Sequence, residues 1–128
     1  MYKMSNIDIQ QSISRLRPNS GFSVAGNDYN RVYWYPSNTE TQPTLAECEA
    51  AWQEIVAEAP MKKLREERNI KLYQCDKYVL PDWPHASDAV RQEWYTYRQA
   101  LRDLPDNSTP SFDENGQLTG VTWPTKPS

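Results

Sequence analysis

The segment from Ser87 to Pro105 constrains the fold more than any other part of this 128-residue chain. Its large apolar residues recur at steps of three and four positions, which draws one continuous stripe along a helix. The stripe consists of Val90, Trp94, Tyr97, Leu101 and Leu104. Ser87 can cap the start of this helix and Pro105 follows its end. Because an isolated helix of this length is marginal in water, the stripe predicts that another part of the chain packs against it.

A second helix is predicted over residues 61–75, where apolar residues again recur at helical spacing. An extended, proline-containing linker at residues 78–84 would join the two helices into an αα-hairpin. Leu64 and Leu72 would face the long helix, and with the stripe above they form the predicted core. Arg68 interrupts the apolar face. It either pairs with Asp103 or Glu93 or covers apolar surface with its stem.

An earlier amphipathic helix is predicted from Thr44, because Thr44 and Glu47 form a capping box. Pro60 ends this helix, kinks it or begins the next one. Every charged residue between Ser37 and Pro60 is acidic, whereas basic residues outnumber acidic ones by six to three between Met61 and Lys77. This pattern indicates either an acidic helix packed beside a basic one or a solvated surface.

Short elements are predicted at both ends of the chain. A capping box at Ser5–Asp8 opens a small helix, and a β-hairpin follows at residues 21–35, with its turn at residues 26–28. Asn115-Gly116 predicts a second turn with a return strand at Leu118 and Val121. The fold class is therefore α+β, with an extended or hairpin-like C-terminal segment. We expect three regions: 1–43 with the helix and hairpin, 44–105 with the helical core, and 106–128.

Composition excludes several classes of function. The net charge of −3 argues against a protein that binds nucleic acid by neutralising phosphates. No apolar run suits a signal peptide or a membrane span, so we expect a soluble protein with no membrane partner. With one histidine, two distant cysteines and four glycines, no catalytic, cofactor-binding or metal-binding constellation assembles. We therefore expect neither enzymatic activity nor a cofactor.

Aromatic residues make up 12% of the chain and serve either as core or as interface. Trp83 and Trp123 are each followed by proline outside the regular elements, and Tyr95 lies beside the apolar stripe. We expect the C-terminal Trp123 to dock on this chain or on a partner. The candidate partner-binding residues are Trp83, Tyr95, Trp123, Pro124 and Trp34.

Four blocks in the second half of the chain resemble the phage tail fibre assembly chaperone family. They are Leu64-Arg65-Glu66-Glu67-Arg68-Asn69, then Cys75-Asp76 with Val79-Leu80-Pro81-Asp82, then Trp94-Tyr95-Thr96-Tyr97-Arg98-Gln99-Ala100-Leu101-Arg102-Asp103-Leu104-Pro105, and Trp123-Pro124. Their order and spacing match over residues 61–124. The run from Tyr97 to Pro105 is the most specific of them.

The resemblance implies a protein that binds a phage tail fibre protein and assists its folding, trimerisation or attachment. It places the chain in the host cell cytoplasm during assembly and allows a homo-oligomer that matches a trimeric fibre. Two alternatives stay open. One is a structural component, a fibre-tip cap or baseplate adaptor, that is retained in the virion tail. The other is a helix-turn-helix regulator, which lacks a convincing basic recognition surface.

Overall fold

The computed structural model describes residues 6–128 and confirms the α+β class. The helices are α1 (Ile9–Leu16), α2 (Leu45–Gln74) and α3 (Asp88–Asp103). The strands are β1 (Phe22–Val24), β2 (Val32–Trp34), β3 (Ser111–Phe112) and β4 (Leu118–Thr119). Two compact units divide the chain, unit 1 at Met1–Ala59 and unit 2 at Pro60–Ser128. The three predicted regions are drawn by the type of secondary structure in each, whereas the two units are defined by compactness. The division into three regions therefore stays a prediction.

The first helix begins at Ile9 because Asp8 caps it, and the Asp8 carboxylate accepts a hydrogen bond from the Gln11 amide at 2.9 Å. The predicted capping box, in which Asp8 would lie inside the helix, is wrong. Its other member, Ser5, lies outside the described residues. Asp8 caps the helix itself because its short carboxylate reaches the free amides of the first turn. Ile9 and Ile13 are buried on the inner face of this helix.

The N-terminal β-hairpin is confirmed, with β1 and β2 antiparallel in the register Phe22↔Trp34. Its turn contains Gly26 and Asn27 at positive φ, which glycine and asparagine tolerate best. Val32 and Trp34 share one face, as predicted, and pack on a buried cluster of Ile9, Ile13 and Cys48. A two-stranded hairpin is only marginally stable alone, so this apolar support explains why it forms.

Helix α2 is continuous from Leu45 to Gln74 and passes through Pro60. At this proline, the predicted alternatives of a helix end and of a new helix start are therefore wrong, and a kink stays a prediction. The Thr44–Glu47 capping box is confirmed by reciprocal hydrogen bonds of 3.0 and 3.1 Å. Proline removes only one hydrogen bond of the helix, and the apolar contacts on both sides of it can outweigh that loss. The acidic and basic segments are consecutive parts of this one helix. The prediction of two charged helices packed side by side is wrong.

In unit 2, Ser87 caps α3 as predicted, with its hydroxyl accepting from the Val90 amide at 3.2 Å. The segment before it is not extended, which corrects the predicted linker. It forms a 3₁₀ turn at Asp76–Val79 and further turns in which the Trp83 amide donates to the Leu80 carbonyl at 3.1 Å. Proline disfavours helix only at the residue before it, so tight turns remain compatible with this sequence.

The C-terminal hairpin is confirmed as an antiparallel pair of β3 and β4, although its return strand ends before Val121. The Asp113 carboxylate fixes the turn by accepting from the Asn115 and Gln117 amides at 2.9 and 2.8 Å. Gly120 follows at φ +77°, where a Cβ would lie 2.2 Å from the Thr109 carbonyl oxygen. This close approach requires glycine and directs the last eight residues back toward unit 2's own core.

Candidate functional site

The core of unit 2 is a cluster of rings on the apolar face of α3. Trp94, Tyr97 and Leu101 are buried with Cys75, the residue that follows α2. The Trp94 and Tyr97 rings meet edge to face, with centroids 5.9 Å apart. The other residues of the predicted core lie as follows: Leu72 and Val90 are half-buried against this cluster, and Leu64 and Leu104 are buried.

The turns between α2 and α3 extend this cluster toward the surface. Tyr78 stacks on Trp94 with centroids 4.1 Å apart, and Trp83 meets the Tyr78 ring edge to face at 5.0 Å. The Lys77 ammonium lies over both outer rings, 5.1 Å from Tyr78 and 5.9 Å from Trp83. His85 donates from its ring to the Tyr78 carbonyl at 2.5 Å, because a carbonyl can only accept. We call residues 76–86 the aromatic turn.

Arg98 holds the start of the aromatic turn in place. Its guanidinium donates to the Leu72 carbonyl at 2.9 Å, contacts the Cys75 sulfur at 3.1 Å and pairs with Asp76 at 2.9 Å. Burial disfavours its charge, but the hydrogen bonds to Cys75 and Asp76 outweigh burial and raise the pKa of Arg98. Sequence analysis missed this residue. The available signal was its position four residues after Trp94, where a helix places side chains on the same face.

Trp123 docks on its own chain, which answers the alternative that the sequence left open. It is half-buried against the ring cluster, and the Lys71 ammonium lies 5.2 Å from its centroid. Beyond it, residues 124–128 border two cavities. One of about 590 Å³ lies against α3, and one of about 460 Å³ lies against the aromatic turn. Among the residues that the structure describes, no hydrogen bond or ion pair involves residues 121–128.

The structure brings only some of the candidate partner-binding residues together. Trp83 lines the cavity beside the aromatic turn, and Pro124 lines the cavity beside α3. Tyr95 is 38% exposed on α3. Trp34 lies in unit 1, where it stacks on Phe22 and its indole donates to a backbone carbonyl at 3.0 Å. Partner binding by these residues stays a prediction.

Sequence analysis missed other exposed apolar side chains. Tyr73 and Ile70 are 80% and 57% exposed on the basic half of α2, and Tyr33 is 58% exposed on β2. The sequence could have indicated their exposure, because each is a large apolar residue that lies off the apolar face of its helix or strand. On the same half of α2, Arg68 donates to the neighbouring Asn69 side chain at 3.0 Å. Within residues 6–128 it forms no ion pair, so its proposed pairing with a carboxylate of α3 is wrong.

The described residues offer little reactive chemistry. They contain no group of three or more His, Cys, Asp or Glu side chains that could hold a metal ion. Cys48 and Cys75 are free, buried thiols, and burial raises the pKa of Cys48. None of the described helices is long and apolar enough to cross a membrane.

Comparison with known proteins identifies the family. The sequence model of the phage tail assembly chaperone proteins matches residues 61–128, more than half of the chain. The chain belongs to this family. Searches of curated proteins and of solved structures found no match.

The match to the phage tail assembly chaperone family begins one residue after unit 2 begins and ends with it. The ring cluster, the aromatic turn, Arg98 and the docked Trp123 therefore all belong to the family region, whereas Trp34 and the N-terminal hairpin lie outside it. A chaperone family of this kind is typically non-enzymatic. Membership implies a phage tail protein as partner and agrees with a site made of rings rather than reactive groups.

Proposed function

We propose that this tail assembly chaperone binds a phage tail fibre protein and assists its folding, trimerisation or attachment in the host cell cytoplasm. Fibre proteins of this class are long, β-rich trimers whose unpaired strand edges invite aggregation during slow assembly. A chaperone that covers an edge or an apolar segment would lower that risk without catalysis. In this proposal, the helices of unit 2 are the scaffold, and the N-terminal hairpin and the surface around the C-terminal segment contact the fibre.

The observation that carries this proposal is an exposed pair of tyrosines beside an open strand edge. Tyr33 and Tyr35 point to the outer face of β2, and their ring centroids are 5.6 Å apart. Because the Tyr35 amide donates to the Gly21 carbonyl, the preceding residue, Trp34, points its backbone amide and carbonyl away from β1. Among the described residues, no hydrogen bond uses those groups. An extended segment of another chain could add there as a third strand, with the tyrosines as side-chain contacts.

Co-expression of the fibre protein with variants of this chain tests the proposal. We expect Tyr33→Thr to lower the yield of soluble fibre trimer several-fold, because threonine keeps strand propensity but removes the ring. Tyr73→Ala is the control, since it removes an even more exposed ring, at 80% against 58%, from unit 2. Equal trimer yields with Tyr33→Thr and with the wild type would refute the role of the hairpin.

Mass spectrometry of purified particles separates the chaperone from a structural component. A transient chaperone should be absent from mature tails. Recovery of this chain in stoichiometric amounts would instead support the cap or adaptor. Light scattering of the purified protein checks for the homo-oligomer that a trimeric fibre would match.

A further inference from the structure

The last five residues of the chain line two cavities, one against α3 and one against the aromatic turn, and no described residue bonds to them through a polar group. Trp123-Pro124-Thr125-Lys126-Pro127-Ser128 places two prolines three residues apart. Each proline fixes its own φ and biases its predecessor toward extended backbone, so this segment favours the polyproline II conformation. It contains no helix or strand. Its backbone groups can therefore stay hydrated while its side chains contact the protein.

The surface beneath this segment has the composition of a site for proline-containing peptides. The cavity next to its end is lined by Tyr78, Trp83 and Trp94, and it includes Pro127. The larger of the two cavities, along α3, is lined by Tyr97, by small residues and by the polar side chains Gln92 and Glu93, and it includes Pro124. Grooves lined by aromatic rings recognise extended proline-rich segments, because such segments lose little conformational freedom on binding.

Charge adds to this match between cleft and segment. Glu93 of α3 and Lys126 of the segment both line the cavity along α3. At the start of the segment, Lys71 lies over the Trp123 ring. The cleft thus suits an extended peptide that carries an aromatic ring, prolines and a basic residue.

The attachment of the segment is weak enough to be reversible. Apolar contact holds residues 121–128: Trp123 packs on the ring cluster, Val121, Pro124 and Pro127 are half-buried, and one cation–π contact from Lys71 adds to this. No described residue forms a hydrogen bond or an ion pair with this segment. Release would therefore expose the cleft without leaving a buried donor or acceptor unpaired.

We propose that the face of α3 and the aromatic turn form a cleft that binds an extended, proline-containing segment of a partner chain, and that the C-terminal segment covers this cleft until the partner displaces it. The proposal rests on the proposed function, in which the partner is a protein under assembly. It adds the chemistry that the cleft recognises and a reason why the free chaperone keeps the rings of the cleft covered.

A peptide with the sequence of residues 120–128, labelled with a fluorophore, is the probe. We expect it to bind full-length Trp123→Ala with an apparent Kd about tenfold lower than that for the wild type, whose own tail competes at an effective concentration in the millimolar range. The same peptide with alanine in place of its tryptophan should not bind. Tyr73→Ala should behave as the wild type, because Tyr73 does not line the cleft.

Equal affinity of the peptide for the wild type and for folded Trp123→Ala would overturn the proposal, and so would the absence of binding to both. Circular dichroism establishes whether the variant is folded. If it is not, Gly120→Ala replaces it, since the added Cβ meets the Thr109 carbonyl and displaces the segment at its base. That variant should also bind the peptide more tightly than the wild type, and an unchanged affinity would refute the proposal.

Light scattering tests whether the C-terminal segment of a second copy of this chain fills the cleft. A wild-type dimer that Trp123→Ala abolishes would mean that the tail of a second copy fills the cleft, which would overturn the proposal. The peptide assay contains no fibre protein. A failure here would therefore leave the co-expression result standing, and a failed co-expression would leave the cleft intact.

Discussion

In unit 1, side chains fix the irregular segments by hydrogen bonds to distant backbone atoms, whereas in unit 2 apolar contact and one cation–π contact hold the last eight residues. Asn38 bonds to both the amide and the carbonyl of Gly21, at 2.8 and 2.7 Å, and the Tyr29 hydroxyl donates to the Pro43 carbonyl at 2.5 Å. Each of these hydrogen bonds forms only when its donor and acceptor are aligned, so each one fixes a single backbone conformation. Apolar contact is non-directional, so the tail of unit 2 can leave its cleft at lower cost.

The largest expected effect comes from a substitution that disrupts the ring cluster of unit 2. Trp94→Ala should lower the free energy of unfolding by about 3–5 kcal/mol, because a buried ring and its stacking partners are lost. Tyr95→Ala, at the neighbouring exposed position, should cost about 1 kcal/mol or less. Urea unfolding followed by circular dichroism measures both. Similar costs for the two variants would mean that the cluster does not hold unit 2 together.

Arg98 tests whether unit 2 also depends on a polar contact. Arg98→Gln should cost about 1.5–3 kcal/mol, since charge-assisted hydrogen bonds to the Leu72 carbonyl and to Asp76 are lost at a largely buried site. Arg102→Gln on the exposed side of α3 is the control and should change stability by about 0.5 kcal/mol or less. Hydrogen exchange should show the Arg98 effect concentrated in the aromatic turn. Exchange that is unchanged there would contradict the assigned role.

Asn38 tests how unit 1 is fixed. Asn38→Ala should cost about 1–2 kcal/mol, because the partly buried Gly21 amide loses its acceptor and the Gly21 carbonyl keeps only its bond from the Tyr35 amide. Asn30→Ala removes an exposed side chain of the same kind from the same hairpin and should be nearly neutral. If thermal unfolding finds equal stabilities for the two variants, the contrast between the units loses its main support.

The smallest expected effect is a dependence of the stability of unit 1 on pH. Hydrogen bonds from Arg15 lower the pKa of Glu58, and hydrogen bonds from the Thr44 backbone and hydroxyl lower the pKa of Glu47, both from about 4.5. Because protonation then favours the unfolded chain, the stabilisation present above pH 4.5 is lost as the pH falls through the folded pKa values. The urea midpoint of unit 1 should therefore fall slightly in acid. Glu47→Gln combined with Glu58→Gln should flatten that dependence, and an unchanged slope would contradict it.

The sequence predicted most elements of this chain because their signals are local. The stripe of α3, its Ser87 cap and the Thr44–Glu47 capping box involve residues at most four positions apart. The turn residues and the alternating apolar residues likewise predicted the N-terminal hairpin. The family resemblance came from the same segment, since the run from Tyr97 to Pro105 combines the ring face of the helix with its end.

Three features could not be predicted, because each depends on contacts between residues far apart in sequence. Pro60 is a poor helix residue, yet α2 continues through it because burial on both sides compensates for one lost hydrogen bond. The aromatic turn folds tightly because Tyr78 stacks on Trp94, sixteen positions away. Arg98 contacts the end of α2 and the residues that follow it, and the sequence of α3 alone does not tell where α2 ends.

The sequence by itself determined the helices, the strands, their caps and the family, because periodicity and capping act between neighbours along the chain. Only the tertiary structure decided that Trp123 docks on its own core and that the prolines beyond it border an aromatic cleft. A tryptophan in an irregular segment gains the same apolar free energy on any suitable surface. Its choice of surface is therefore settled by the packing of the whole unit and not by its neighbours in sequence.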